Sequence, residues 1–180
     1  IVYDASYTDN LGNYKLVRIK ECYPYALKMT RDEDGTLHPS ADDGKAFDAA
    51  KKRLIAAYQK NNALFSLEGL ANVIANTSDI YEANGTVYIV SVYMNGRTFT
   101  EHQGDTLHDC VSLLIGAAKA LRHIHNAGYL YLDLKPDNIL TLEGSLDLVQ
   151  LFDFDSIIST EEFEKALQNN NPSELRISYT

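Results

Sequence analysis

Tyr131-Leu132-Asp133-Leu134-Lys135-Pro136-Asp137-Asn138 is the stretch whose reading decides the fold. Ile139-Leu140-Thr141-Leu142 follows at once, and one further apolar segment leads to Asp153-Phe154-Asp155. The pattern sets an ammonium two residues after a carboxylate and an amide five residues after it. A pair of strands then delivers a second carboxylate. Two carboxylates, an amide and an ammonium can together position a hydroxyl, a phosphate and one or two magnesium ions. Phosphoryl transfer needs such parts, because its catalysis is mostly positioning and charge stabilisation.

Working outward, Ile139 to Leu142 and Leu146 to Leu151 read as two strands around Glu143-Gly144. This hairpin carries Asn138 at one end and Asp153 at the other, so both side chains can converge on one metal site. Upstream, Asp105-Thr106 caps a helix that runs to about Asn126 and stops at Gly128. Leu107, Val111, Leu114, Ala118, Leu121 and Ile124 recur at helical spacing and read as its core face. His123 and His125 are two apart and share no face, so they read as packing or terminus residues rather than metal ligands.

Ser78 to Ala83 and Thr86 to Tyr93 form a hairpin around Asn84-Gly85, the strongest short turn signal. Lys45 to Lys60 is an amphipathic helix with Phe47, Ala50, Leu54, Ala57 and Tyr58 on one face. Residues 30 to 44, rich in Asp, Gly, Ser and Thr, read as a mobile connection. Ile1-Val2-Tyr3 reads as the end of a strand, Thr8 to Asn13 as a turn, and Tyr14 to Lys20 as the next strand. After Ser156 the chain turns polar, with a helical patch at Thr160 to Leu167 and a loop at Asn169 to Ser173.

The 180 residues suffice for one domain with a real core. With 25 acidic against 16 basic residues the net charge is -9, and no Lys/Arg stripe offers a nucleic-acid surface. Cys22 and Cys110 show neither metal spacing nor a disulfide framework, and read as isolated buried thiols in a reducing compartment. No apolar run is long enough to span a bilayer and no signal peptide is present, so a cytoplasmic location is expected. The start at Ile1-Val2-Tyr3, without Met, reads as a piece of a longer chain, in which a membrane span or sensor domain can lie elsewhere.

Asp133-Leu134-Lys135-Pro136-Asp137-Asn138 resembles the catalytic loop of protein kinases, and Asp153-Phe154-Asp155 resembles their D-F-G metal motif. Lys-Pro after the Asp is the form usual in Ser/Thr kinases. Val17-Arg18-Ile19-Lys20 is similar to the kinase V-A-I-K strand. Glu21-Cys22-Tyr23-Pro24 points to bacterial Ser/Thr kinases of the eukaryotic type.

The resemblance implies an α+β, protein-kinase-like fold. Residues 1–94 would form a small lobe of antiparallel sheet plus one regulatory helix. A hinge would join it to residues 95–180, the start of a mainly helical large lobe. It implies ATP and Mg2+ as cofactors and a protein Ser/Thr hydroxyl as acceptor. Asp133 would accept or orient the hydroxyl proton, and Lys135 would neutralise charge on the γ-phosphate. Asn138 and Asp153 would hold magnesium, and Lys20 the nucleotide phosphates. Ser91 would be the gatekeeper, the backbone of Val92 and Met94 would meet adenine, and Met94-Asn95-Gly96 would link the lobes.

The sequence departs from the family pattern in four places. Tyr131-Leu132 replaces His-Arg, and Asp155 replaces the Gly of D-F-G, where a Cβ restricts flipping. No Gly-rich loop precedes the first strand, so on this reading it lies upstream. The regulatory helix lacks its Glu, which leaves Asn61, Asn62 or a shifted Glu68 as partner for Lys20. The family's peptide-binding platform would lie past Thr180, so residues 1–180 alone are expected to be inactive. Two other readings stay open: a pseudokinase acting as a nucleotide-binding regulatory module, and a small-molecule phosphotransferase of the aminoglycoside or choline type.

Overall fold

Asn84 and Gly85 both take positive φ (50° and 74°), as a two-residue hairpin turn of the inverted kind requires. That turn joins two strands of the main sheet in the computed structural model, which describes residues 1–67, 69–102, 106–142 and 148–169. The chain divides into two compact units, Ile1–Gln59 with Asn76–Tyr93, and Lys60–Ala75 with Met94–Thr180.

In the first unit, β1 (Val2–Thr8), β2 (Tyr14–Glu21), β5 (Thr77–Ala83) and β6 (Thr86–Val92) form an antiparallel sheet in the order β1-β2-β6-β5. The turn between β1 and β2 closes on Asp9, whose Oδ1 accepts from the N–H groups of Leu11 and Asn13. The stretch expected as a mobile connection instead holds an ordered hairpin, β3 (Met29–Arg31) paired with β4 (Leu37–Pro39). Its polar residues act as turn formers, with Asp34 Oδ1 accepting from Thr36 N and Gly35 at φ 90°. Leu37, 2 % exposed, inserts among Cys22, Phe47, Leu54, Val87 and Ile89, so one apolar residue anchors an otherwise polar loop. The fit is close at Gly85, where a Cβ would lie 2.5 Å from the Leu37 carbonyl oxygen.

α1 (Gly44–Phe65) buries Phe47 and Leu54 in the same cluster, as its periodicity predicts. It continues five residues beyond Lys60, and Leu64 enters the core of the second unit together with Leu70 and Ile74. Residues 60–75 therefore group with the second unit.

A buried charged group in the first unit is Glu21, 2 % exposed. Its carboxylate accepts from Arg31 (2.7 Å), Tyr3 Oη (2.8 Å) and Tyr88 Oη (3.0 Å). Burial pushes this carboxyl up, but the bonds from Arg31, Tyr3 and Tyr88 outweigh burial and hold it below its ordinary 4.5. The network ties β1, β2, β3 and β6 together.

The second unit is built on α2 (Leu107–Asn126), opened by a capping box between Thr106 and Asp109. Asp105 lies outside the described residues. The expected core face is only partly the buried one, for Ile124 is buried and Leu121 packs against the core. Leu113, Gly116, Ala117, Ala120 and Ile124 are buried, whereas Leu107 (81 %), Val111 (45 %) and Leu114 (55 %) are exposed. The helix carries apolar residues on two sides, so periodicity alone could not choose. Small side chains at 116, 117 and 120 let β8 (Tyr129–Tyr131) and β10 (Val149–Leu151) pack closely on the buried side.

β7 (Gly96–Thr98), β9 (Ile139–Leu142) and β10 form a sheet in the order β10-β9-β7. Gly96, read as the end of the inter-lobe linker, thus starts a strand. The turn expected at Glu143-Gly144 lies outside the described residues. Ile74 bridges Leu151, with Leu151 N–H donating to Val73 O and Ala75 N–H to Leu151 O. β11 (Ile157–Ser159) pairs with β8 and runs into α3 (Thr160–Gln168), capped by Ser159 and Glu162. Cys22 is buried as expected, but Cys110 is only half-buried, and neither forms a disulfide among the described residues. Among the described residues no helix is long and apolar enough to cross a membrane.

Two substitutions test these contacts. Arg31→Met leaves the buried Glu21 carboxylate without its cation and costs about 2 kcal/mol at pH 7 in urea denaturation. Because the folded Glu21 carboxyl sits below its ordinary value, this contribution is complete above pH 4.5 and lost as pH falls through the lowered value. The gap between wild type and Arg31→Met therefore closes in acid; a gap that widens would contradict the network. A Cβ at Gly96 would lie 2.2 Å from the Thr141 carbonyl oxygen. Gly96→Ala is therefore expected to lower stability by about 2 kcal/mol, as overpacking does.

Candidate active site

The loop between β8 and β9 forms the chemical centre of the second unit. Pro136–Asn138 makes one turn of 3-10 helix, with Pro at its first position, where no N–H is needed. That turn brings Asn138, 3 % exposed, back over Asp133, 8 % exposed. Asn138 Nδ2 donates to both the Asp133 backbone oxygen and Asp133 Oδ2, each at 2.9 Å. Lys135 Nζ meets the same Oδ2 at 2.9 Å. Asp133, Lys135 and Asn138, singled out from spacing alone, therefore form one hydrogen-bonded group. Thr100 Oγ1 adds an outer tie by donating to Asp137 Oδ1.

Asp153 arrives from β10. The pairing of Leu151 with Ile139, followed by Phe152 N–H donating to Asn138 O (3.2 Å), sets Asn138 beside the residue preceding Asp153. Asp153 has left-handed backbone (φ 65°, ψ 67°), which costs an ordinary residue roughly 1–2 kcal/mol and Asp somewhat less. Its two neighbours hold it there. Phe154, 4 % exposed, packs on Tyr131 with ring centroids 5.4 Å apart. Tyr131 Oη donates to the carbonyl of Phe152. Residues 154–156 then form a 3-10 turn. The backbone at Asp155 is therefore helical, and the residue standing for Gly needs no positive φ.

Tyr131 is the residue that sequence reasoning passed over. It stands in place of the family's His-Arg, and its ring and hydroxyl clamp both sides of Asp153. An aromatic residue two before the loop Asp was the available signal. His102 was also missed: buried at 5 %, it bonds Thr141 Oγ1 at 2.7 Å, and that hydroxyl donates to Arg97 O. His123 and His125 lie exposed on the last turn of α2.

Lys20 lies near the end of β2 in the first unit, half-buried and paired in register with Ile89 of β6. Ser91 sits two residues on, paired with Arg18. Val92 N–H donates to Asn76 O at 3.3 Å, so a ligand would have only the Val92 carbonyl to meet. Met94 opens the second segment of the other unit. Asn61, one candidate partner for Lys20, is 4 % exposed in the second unit, where its Nδ2 donates to Ala75 O at 3.2 Å. Its neighbour Lys60 pairs with Glu162 of α3 at 3.0 Å. Asn62 is half-buried on α1, and Glu68 lies outside the described residues.

The donors fit magnesium better than a softer metal. Asn138 commits its amide nitrogen to Asp133, which turns its carbonyl oxygen into the ligand it can offer beside the Asp153 carboxylate. Magnesium takes one or two carboxylates plus phosphate oxygens and water. Among the described residues no cluster of three or more His, Cys, Asp or Glu side chains could hold a metal by itself.

The family model for the protein kinase domain matches residues 45–171. The Ser/Thr-protein kinase STE20 of Candida glabrata is 32 % identical over 130 residues, covering 68 % of this chain and 13 % of that protein. The Ser/Thr-protein kinase PknG of Mycolicibacterium smegmatis is 33 % identical over 70 residues, covering 38 % of this chain and 9 % of that protein. Among solved structures, the apo form of PpkA-294 superposes with a TM-score of 0.68 and 25 % identity, over 97 % of this chain and 59 % of that one. The chain thus spans less than two thirds of each of these proteins. The Asp133–Asn138 loop and Asp153 both fall inside the matched span, and the fold is shared with a solved kinase-like chain, so the chain belongs to the protein kinase family.

Proposed function

We propose that this chain supplies the catalytic loop, the metal-binding residues and the nucleotide-anchoring Lys20 of a Ser/Thr protein kinase, which moves the γ-phosphoryl group of ATP to a protein hydroxyl. The observation that carries this reading is the buried Asp133 carboxylate, oriented by Asn138 and met by Lys135. Asp133 has one oxygen fixed by two donors, which sets the direction of the carboxylate for an incoming Ser or Thr hydroxyl. It would accept or orient that proton. Lys135 is close enough to Asp133 to share charge with a phosphoryl group that approaches the same hydroxyl. Asn138 and Asp153 would hold magnesium through oxygen, and Lys20 would hold the nucleotide phosphates. Bound magnesium would neutralise charge developing on the phosphate oxygens.

A second reading, a nucleotide-binding regulatory module without transfer activity, is favoured by one observation. α1 carries Asn61 or Asn62, not an acid, where the family places its Glu, and the Asn61 side chain is engaged by Ala75 O. An amide supplies no charge to hold Lys20. A small-molecule phosphotransferase is disfavoured by Lys135-Pro136.

The deciding experiment is phosphate transfer by the full parent chain to a generic Ser/Thr substrate, read by mass spectrometry. Asp133→Ala is expected to lower kcat by about 10²–10⁴, the usual range for loss of a general base. Magnesium-dependent ATP binding with no transfer in wild type would establish the regulatory module instead. Tyr131→Phe keeps the ring against Phe154 and removes the bond to Phe152. It is expected to raise the magnesium concentration giving half-maximal transfer. Equal magnesium demand in Tyr131→Phe and wild type would show that the hydroxyl does not position Asp153.

A further inference from the structure

On β2, Arg18 and Lys20 are two residues apart, so their side chains leave the same face of the sheet with Cα atoms about 7 Å apart. The register sets Arg18 directly between Asp4 of β1 and Ser91 of β6. Its Nε donates to Asp4 Oδ1 at 2.9 Å, and its guanidinium carbon lies 5.5 Å from the centroid of the Tyr93 ring. Tyr93 is itself tied to β2 by its N–H, which donates to Leu16 O. All of these residues belong to the first unit.

The placement matters because of what flanks it. If Lys20 takes the phosphates and the Val92 carbonyl meets the base, then the face at Arg18 and Ser91 lies between those two points of attachment. The V-A-I-K pattern has Ala at this position. Here a long side chain lies across the strip, with its planar group against an aromatic ring and its charge answered by a carboxylate. We propose that Arg18 occupies the base side of the nucleotide face, so that an adenine ring must displace its guanidinium from Tyr93 and Asp4 to bind. This rests on the nucleotide-site reading above.

The magnitude of the effect follows from exposure. The Arg18 and Asp4 side chains are 43 % and 58 % exposed, so the ion pair is a surface pair of small worth. The cation–π contact on the half-buried Tyr93 ring adds a comparable amount. Arg18 is thus a displaceable occupant. It weakens binding of any ligand that needs this strip, without closing the site.

The test measures affinity for ATP with magnesium, and for adenosine, by calorimetry on the full parent chain and its Arg18→Ala and Lys20→Met variants. Arg18→Ala is expected to bind both ligands roughly tenfold more tightly, the sum of two weak contacts. Lys20→Met is expected to lose affinity for ATP while leaving adenosine unchanged. Binding that appears only in Arg18→Ala also supports the proposal. ATP binding that depends on Lys20 but is unchanged or weakened in Arg18→Ala overturns the proposal and leaves the site reading intact. A gain for ATP without one for adenosine overturns it too, since the effect would then be on the phosphates. No binding by any of the three chains overturns both the proposal and the reading it rests on.

Discussion

The double hydrogen bond from the Asn138 amide to Asp133 is the constraint on which the second unit's chemistry depends. It closes a six-residue loop on itself, with one bond to the backbone and one to the carboxylate. A buried carboxylate needs such partners, since an unpaired charge at this depth would cost several kcal/mol or take up a proton. The same amide carries its backbone into β9, whose pairing with β10 delivers Asp153. One side chain therefore couples the placement of Asp133, Asn138 and Asp153.

The left-handed backbone of Asp153 shows the converse, a local cost held in place by its surroundings. Phe154 fills the core, Tyr131 covers it, and β11 pairs back onto β8 directly afterwards. Each contact lies on a neighbour of Asp153, so the acid is positioned without a packing role of its own. Strained residues of this kind persist only where the structure around them over-determines the conformation.

The first unit is organised by a different device. Glu21 gathers Tyr3, Arg31 and Tyr88 from three strands around one buried carboxylate, next in sequence to Lys20. Leu37 inserts into the apolar cluster of this unit and Met29 packs against it, so the hairpin of β3 and β4 is fastened by apolar contacts and by the Arg31–Glu21 ion pair. The composition of residues 30 to 44 carried no trace of this, because a polar loop and a polar hairpin with one anchoring leucine have almost the same residue content.

The sequence by itself determined the kinase-like fold, the Asp133-Lys135-Asn138 grouping and the turn at Asn84-Gly85. The fold was legible through the resemblance of the motifs at 17–20, 133–138 and 153–155 to the kinase family, and the grouping and the turn through spacing within a few residues, which sets local geometry directly. The ends of α2 and α3 were legible for the same reason, since caps and stops are local, whereas α1 runs five residues past its expected end. Tertiary structure alone decided which side of α2 is buried, because both sides are apolar and only close packing on β8 and β10 selects the small residues. It also decided that Asn61 serves Ala75, that Tyr131 clamps Asp153, and that Arg18 lies on Tyr93 beside Asp4. Each of those depends on partners brought together by strand register or helix packing, and register is a property of the assembled sheet rather than of any one segment.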